Sequence, residues 1–138
     1  MILLDSSGVL AALYPDQRHH RECVAAIALS DPPRILSPFA LAEIDYFIVR
    51  WGGAISELRF LSEFTKGVYE LAAFDTQDLE EAMAIIKTYH DLNIGIADAS
   101  IVVLANRYGC HDILTLDERH FRALRFGRRN FRILPADA

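Results

Sequence analysis

Four acidic residues of this chain stand inside apolar sequence, where an ionised carboxylate needs a compensating partner. Asp5 ends Met1-Ile-Leu-Leu4, Glu43 lies in Phe39-Ala-Leu-Ala-Glu-Ile44, Asp98 in Ile94-Gly-Ile-Ala-Asp-Ala-Ser-Ile101, and Asp117 ends Ile113-Leu-Thr-Leu116. Buried alone, each would cost on the order of several kcal/mol or take up a proton. Drawn together without cations, the four would repel one another. A divalent ion removes that conflict, and an all-oxygen donor set suits Mg2+, with Mn2+ as a substitute. Ser6, Ser7 and Thr115 add hydroxyls close by in the sequence.

Each acid also has a plainer reading. Asp98 and Asp117 could cap helices, worth about 1 kcal/mol apiece, and Asp5 could cap a helix starting near Ser7. Glu43 could pair with Arg50 or Arg107. Capping does not account for Glu43, and one shared site is more economical than four coincidences. The five histidines show no zinc-ligand spacing. His120, three residues beyond Asp117, is the exception that merits a test.

The elements that must position these groups alternate. Ile2 to Leu4 reads as a buried strand, followed by helices over about Ser7 to Leu13 and Gln17 to Leu29. Asp31-Pro32-Pro33 breaks the chain before a strand at Arg34 to Ser37. Helices at about Pro38 to Arg50 and Ala54 to Thr65 are separated by Gly52-Gly53. A third strand is expected over Val68 to Phe74, then a helix over Thr76 to Tyr89 capped by Asp75 or Thr76. A helix over Ala97 to Tyr108, a strand at Ile113 to Leu116, a short helix after Asp117 and a strand near Phe131 to Leu134 complete the pattern.

Short, continuously apolar strands alternating with helices predict an α/β fold, a three-layer sandwich in which a small parallel β-sheet is flanked by helices. Sites in such sheets form beyond the carboxyl ends of the strands. Asp5 and Asp117 each follow a strand directly and fall on that edge. Glu43 has Phe39, Ala40, Tyr46 and Phe47 at helical neighbour positions, which predicts a core-facing side chain, and Asp98 has Ile94, Ile101 and Val102.

Composition bounds the rest. A length of 138 residues with 52% hydrophobic and 24% charged residues fits residues 1–138 as one domain. No apolar run approaches the roughly 18 to 20 residues of a membrane span, and the start lacks a basic leader, so a cytoplasmic location and no membrane partner are expected. Cys23 and Cys110 lack paired spacing and are expected to be reduced thiols. A net charge of −5 argues against a general nucleic-acid coat. From Glu118 to Arg132, however, six arginines face a single acid. Arg122, Arg125, Arg128 and Arg129 could be a solvated surface or a phosphate-contacting edge.

At these residues the chain resembles the PIN-domain family, and within it the VapC-type toxins of bacterial toxin–antitoxin pairs. The features that carry the resemblance are Leu4-Asp5-Ser6-Ser7, Leu41-Ala42-Glu43, Ile96-Ala97-Asp98-Ala99-Ser100, and Leu114-Thr115-Leu116-Asp117 followed by Phe121, in the family's order and spacing. The resemblance implies a PIN-like α/β fold and a metal-dependent ribonuclease. It further implies a homodimer, neutralised by a small antitoxin in a higher complex that also binds operator DNA. Asp5, Glu43, Asp98 and Asp117 would be its acidic, catalytic quartet, with Ser7 and Thr115 supporting the metal. Where many relatives place another acid, this chain has Arg119-His120.

The expected activity is Mg2+-dependent hydrolysis of RNA phosphodiester bonds as the toxin of such a pair, with a housekeeping RNA-processing nuclease as the alternative. A phosphoacceptor receiver-like domain would want an early acidic pair and a lysine after a late strand; this chain has only Lys66 and Lys87, in neither place. A non-catalytic α/β binding domain would use the acids only as caps and ion-pair partners.

Overall fold

The computed structural model describes all of residues 1–138. Five strands form one parallel sheet: β1 (Ile2–Leu4), β2 (Arg34–Leu36), β3 (Glu70–Leu71), β4 (Asp112–Leu114) and, numbered last in the chain, β7 (Arg132–Leu134). Their order is β3-β2-β1-β4-β7. The helices are α1 (Ser6–Leu13), α2 (His20–Leu29), α3 (Pro38–Thr65), α4 (Thr76–Thr88), α5 (Ile96–Tyr108) and α6 (Glu118–Ala123). Two short strands, β5 (Arg125–Phe126) and β6 (Arg129–Asn130), pair antiparallel as a separate ribbon.

Alternate residues of each strand feed opposite faces of the sheet, which builds two cores. Leu3, Ile35, Ile113 and Ile133 pack with α4, α5 and Phe121 of α6. Ile2, Leu4, Leu36, Leu114 and Leu134 pack with α1, α2 and α3. Both faces are covered, so the strands read as unbroken apolar runs instead of alternating ones. Cys23 and Cys110 are buried, free and divided between the two cores, in line with the expected thiols.

Two boundaries depart from the sequence expectation. The third strand is confined to Glu70–Leu71 instead of Val68–Phe74. Its only neighbour is β2, whose ladder closes with Ala72 N–H on Leu36 O at 2.9 Å before Ser37 starts α3. The second helix begins at His20, not Gln17, because His19 sits in the left-handed region at φ 60°. The break expected at Gly52-Gly53 is present: Gly53, at φ 69° and ψ −169°, is not helical and divides α3 into two helical segments. No helix is long and apolar enough to cross a membrane.

Candidate functional site: four carboxylates and a histidine at the sheet edge

Asp5 and Asp117 lie on the carboxyl edge of adjacent central strands. The Asp5 N–H continues the ladder to Leu114 O at 3.0 Å. Its carboxylate Oδ2 accepts from Ser7 Oγ at 2.7 Å and from Thr115 Oγ1 at 2.8 Å. The same two hydroxyls also accept, Ser7 Oγ from Leu116 N–H and Thr115 Oγ1 from Asp117 N–H, both at 3.0 Å. One small network therefore fixes Asp5 and the turn that carries Asp117. Asp5 is only 5% exposed, and that burial raises its pKa while the two hydroxyls pull it back.

Glu43 and Asp98 come from helices on opposite faces of the sheet. Ser37 caps α3, its Oγ accepting from Phe39 and Ala40 N–H at 3.1 and 3.2 Å. Buried Ser100 on α5 lies 2.8 Å from that same Ser37 Oγ. The two helices are thus pinned together near the acids they carry. Sequence reading attached no role to this serine pair, because only the fold brings residues 63 positions apart into contact.

The structure corrects the expected setting of Glu43. Tyr46 is 58% exposed and Phe47 36%, whereas Ala40, Ile44 and Ile48 make the buried stripe of α3. Glu43 is itself exposed and stands at the rim, where Ser6 Oγ donates to Oε1 at 3.2 Å. Partial desolvation and the charge of Asp5 raise its pKa, and the Ser6 hydrogen bond lowers it. Neither arginine considered as its partner is one: Arg50 bonds the Tyr46 hydroxyl, and Arg107 pairs with Asp78 at 2.7 Å.

The capping readings divide. Asp117 is an N-cap, with Oδ1 accepting from His120 N–H at 3.1 Å, and it remains part of the cluster. Asp5 occupies the cap position of α1 without a side-chain cap bond. Asp98 lies inside the first turn of α5, whose cap residue is Gly95.

Asp98 carries the clearest electrostatic signature. Burial raises its pKa most, the charges of Asp5, Asp117 and Glu43 raise it further and His120 opposes them, leaving it at about 6. The other three acids are thus near enough for their charges to act on Asp98. Ligand atoms of Asp98, Asp117 and His120 all lie within 4.8 Å of one another. His120 Nδ1 stands 2.8 Å from Asp117 Oδ2 and 3.5 Å from Asp98 Oδ2. The donor set fits a hard divalent cation: three or four carboxylates with supporting hydroxyls, mutually repelling without one.

The four arginines do not act alike. Arg122 is held by Asp137, with two hydrogen bonds of 2.8 Å, which occupies the fork a phosphate would use. Arg125, Arg128 and Arg129 are exposed on the β5–β6 ribbon, an element the sequence reading missed. Strands of two residues leave no periodicity to detect; Gly127 at φ 60°, flanked by Phe126 and Arg128, is the only local signal.

Residues 2–127 match the family model described as PIN domain. The chain is 41% identical to Ribonuclease VapC26 of Mycobacterium tuberculosis, over 97% of this chain and the full length of that protein. Its fold is similar to that of M. tuberculosis VapC20, a sarcin-ricin loop cleaving toxin, with a TM-score of 0.78 at 16% identity, covering 86% of this chain and 92% of that one. It is also similar to a chain of the DNA-bound VapBC complex of Salmonella typhimurium, with a TM-score of 0.66 at 20% identity, covering 96% and 95%.

Proposed function

The chain belongs to the PIN-domain family, and from that membership we propose that residues 1–138 act as one unit, a divalent-metal-dependent endoribonuclease that serves as the toxin of a type II toxin–antitoxin pair. What supports this reading is the cluster of Asp98, Asp117 and His120 ligand atoms within 4.8 Å of one another, with Asp5 and Glu43 near enough that their charges raise the Asp98 pKa. Its near full-length likeness to a VapC ribonuclease supports RNA as the substrate.

Asp5, Glu43, Asp98 and Asp117 are the residues that would hold Mg2+, or Mn2+ in its place. When bound, such an ion polarises a phosphodiester, lowers the pKa of a coordinated water and offsets charge on the leaving oxygen. The chain's own residues do the positioning. Ser7 and Thr115 hold the Asp5 carboxylate in one orientation. Ser6 steadies Glu43 at the rim, where a phosphate can approach from solvent. Arg125, Arg128 and Arg129 supply positive charge for an RNA backbone.

Partners follow from the same reading: a small antitoxin, a homodimer and a larger complex with the antitoxin, in the cytoplasm. Ile55, 76% exposed, and Leu58, 65% exposed, leave apolar surface on α3 that supports a protein partner.

The test is cleavage of RNA by wild type and by Asp98→Asn, with Mg2+ and with chelator. Wild type should cut only with the cation, and the variant should lose more than the roughly 100-fold that changes at ligand-supporting residues cost. Equal, chelator-insensitive cleavage by both proteins would sink the proposal.

A further inference from the structure

His120 has one nitrogen accounted for and one not. Nε2 lies 3.1 Å from Leu92 O, and a carbonyl oxygen can only accept, so Nε2 carries the ring hydrogen. In that tautomer Nδ1 bears a free lone pair. It faces the Asp98 and Asp117 carboxylates, two groups that repel a lone pair.

A proton on Nδ1 offsets that repulsion by its charge alone, since it makes no hydrogen bond there. Nδ1 is buried and without a hydrogen-bond partner although Asp117 Oδ2 stands only 2.8 Å away, because that oxygen lies off the line of the ring N–H. A close, off-axis contact is what two donor atoms make when they occupy neighbouring corners around one small ion. For metal–ligand bonds of about 2.1 Å that separation is about 3 Å. The Leu92 carbonyl has the orienting part that backbone carbonyls commonly take behind metal-bound imidazoles. It is presented by the single helical turn His90–Leu92, which Asn93 ends with φ 52°.

We propose that His120 Nδ1 is a direct ligand, alongside Asp98 and Asp117, of the divalent ion at this site, and that this nitrogen donor makes the site favour Mn2+ over Mg2+. Imidazole suits transition ions, whereas Mg2+ keeps to oxygen. The proposal deepens the nuclease reading and rests on it for the presence of the ion. It goes beyond that reading in naming a ligand outside the acidic quartet and a metal preference.

The experiment reads the metal itself. Mn2+ is bound to the full-length protein and its electron spin-echo modulation recorded, with calorimetric titrations of Mn2+ and Mg2+ on wild type and His120→Gln. Wild type should show modulation from a directly bound 14N nucleus and prefer Mn2+. The variant should lose the nitrogen signal and about tenfold or more of its Mn2+ affinity, while Mg2+ affinity changes by less than about threefold. Absence of bound nitrogen in the wild-type spectrum overturns the proposal, and that measurement stands even if the variant folds poorly. Equal or tighter Mn2+ binding by the variant overturns it too. If cation-dependent RNA cleavage survives beside a nitrogen-free spectrum, only the role of His120 falls. If wild type neither binds Mn2+ nor cleaves RNA, the nuclease reading falls and takes this proposal with it.

Discussion

Thr115 shows how much one side chain does at this site. Its hydroxyl donates to Asp5 and accepts from the Asp117 N–H, so it links the acids that end two strands. Thr115→Val keeps the shape and removes both bonds. An orphaned N–H and a less stabilised buried carboxylate should cost about 1–3 kcal/mol in denaturant unfolding, and metal affinity should fall roughly 10–100-fold. A variant with unchanged metal affinity would show that the hydroxyl serves the fold alone. Asp98 makes the opposite prediction for stability. The folded state holds its proton up to about pH 6, whereas the unfolded chain releases it near the ordinary aspartate value of 3.8. Between those values the folded form binds more protons, so the metal-free protein loses stability as pH rises, on the order of 2 kcal/mol by pH 7. Asp98→Asn should therefore be more stable than metal-free wild type at pH 7, with the difference shrinking toward pH 4. A destabilised variant at pH 7 would contradict the electrostatic account. Asp5, Asp98 and Asp117 were legible in the sequence as carboxylates among apolar neighbours, whereas Glu43, read the same way, stands exposed at the rim. The contact of His120 with Leu92 O was not legible, since it joins residues 28 positions apart through a turn that leaves no periodic trace.

At the scale of elements, α1 is seated against β4 by the absence of a side chain. A Cβ on Gly8 would stand 2.8 Å from the Leu114 carbonyl oxygen and 2.9 Å from its carbon, which is backbone and cannot swing away. Gly8→Ala should push α1 off the sheet at a cost of about 1–3 kcal/mol. It should also carry Ser7 away from Asp5 and Leu116 N–H, so metal-dependent cleavage falls with stability. Full activity in a variant of lowered melting temperature would separate the helix seat from the site. The helices themselves were readable from the apolar stripe and the caps: Asp75 closes a reciprocal cap with Asp78 on α4, and Ser37 caps α3. What periodicity could not give were elements whose existence depends on a partner. β3 ends where β2 ends, and the β5–β6 ribbon has two residues per strand. Arg122, read as a free cation, is bound to Asp137, whose pKa that pairing lowers to about 2. Asp137 Oδ2 also accepts from Ile133 N–H at 2.8 Å, so the arginine anchors the tail beyond β7.

For the whole molecule, the site is where the fold is least local. Asp5 follows β1, Glu43 stands on α3, Asp98 on α5, and Asp117 follows β4, so no two come from the same element. The apolar runs that build two cores fix the sheet, and the sheet order, which the sequence pattern did not give, places the two strand-end acids on neighbouring strands. A cation held by all four ties segments up to 112 positions apart. Its binding should stabilise the native state alone, by about 2.7 kcal/mol at a concentration 100 times its Kd, and raise the melting temperature by several degrees. Hydrogen exchange read by mass spectrometry adds the spatial part of the prediction. Saturating Mn2+ should slow amide exchange together around residues 5, 43, 98 and 117, because one ion restrains four elements. Glu43→Gln, at the exposed rim, should fold normally yet weaken the melting shift and release the α3 segment first. Protection gained at one segment alone, or a shift that survives in Glu43→Gln combined with Asp98→Asn, would mean that the acids are neighbours without being a shared site.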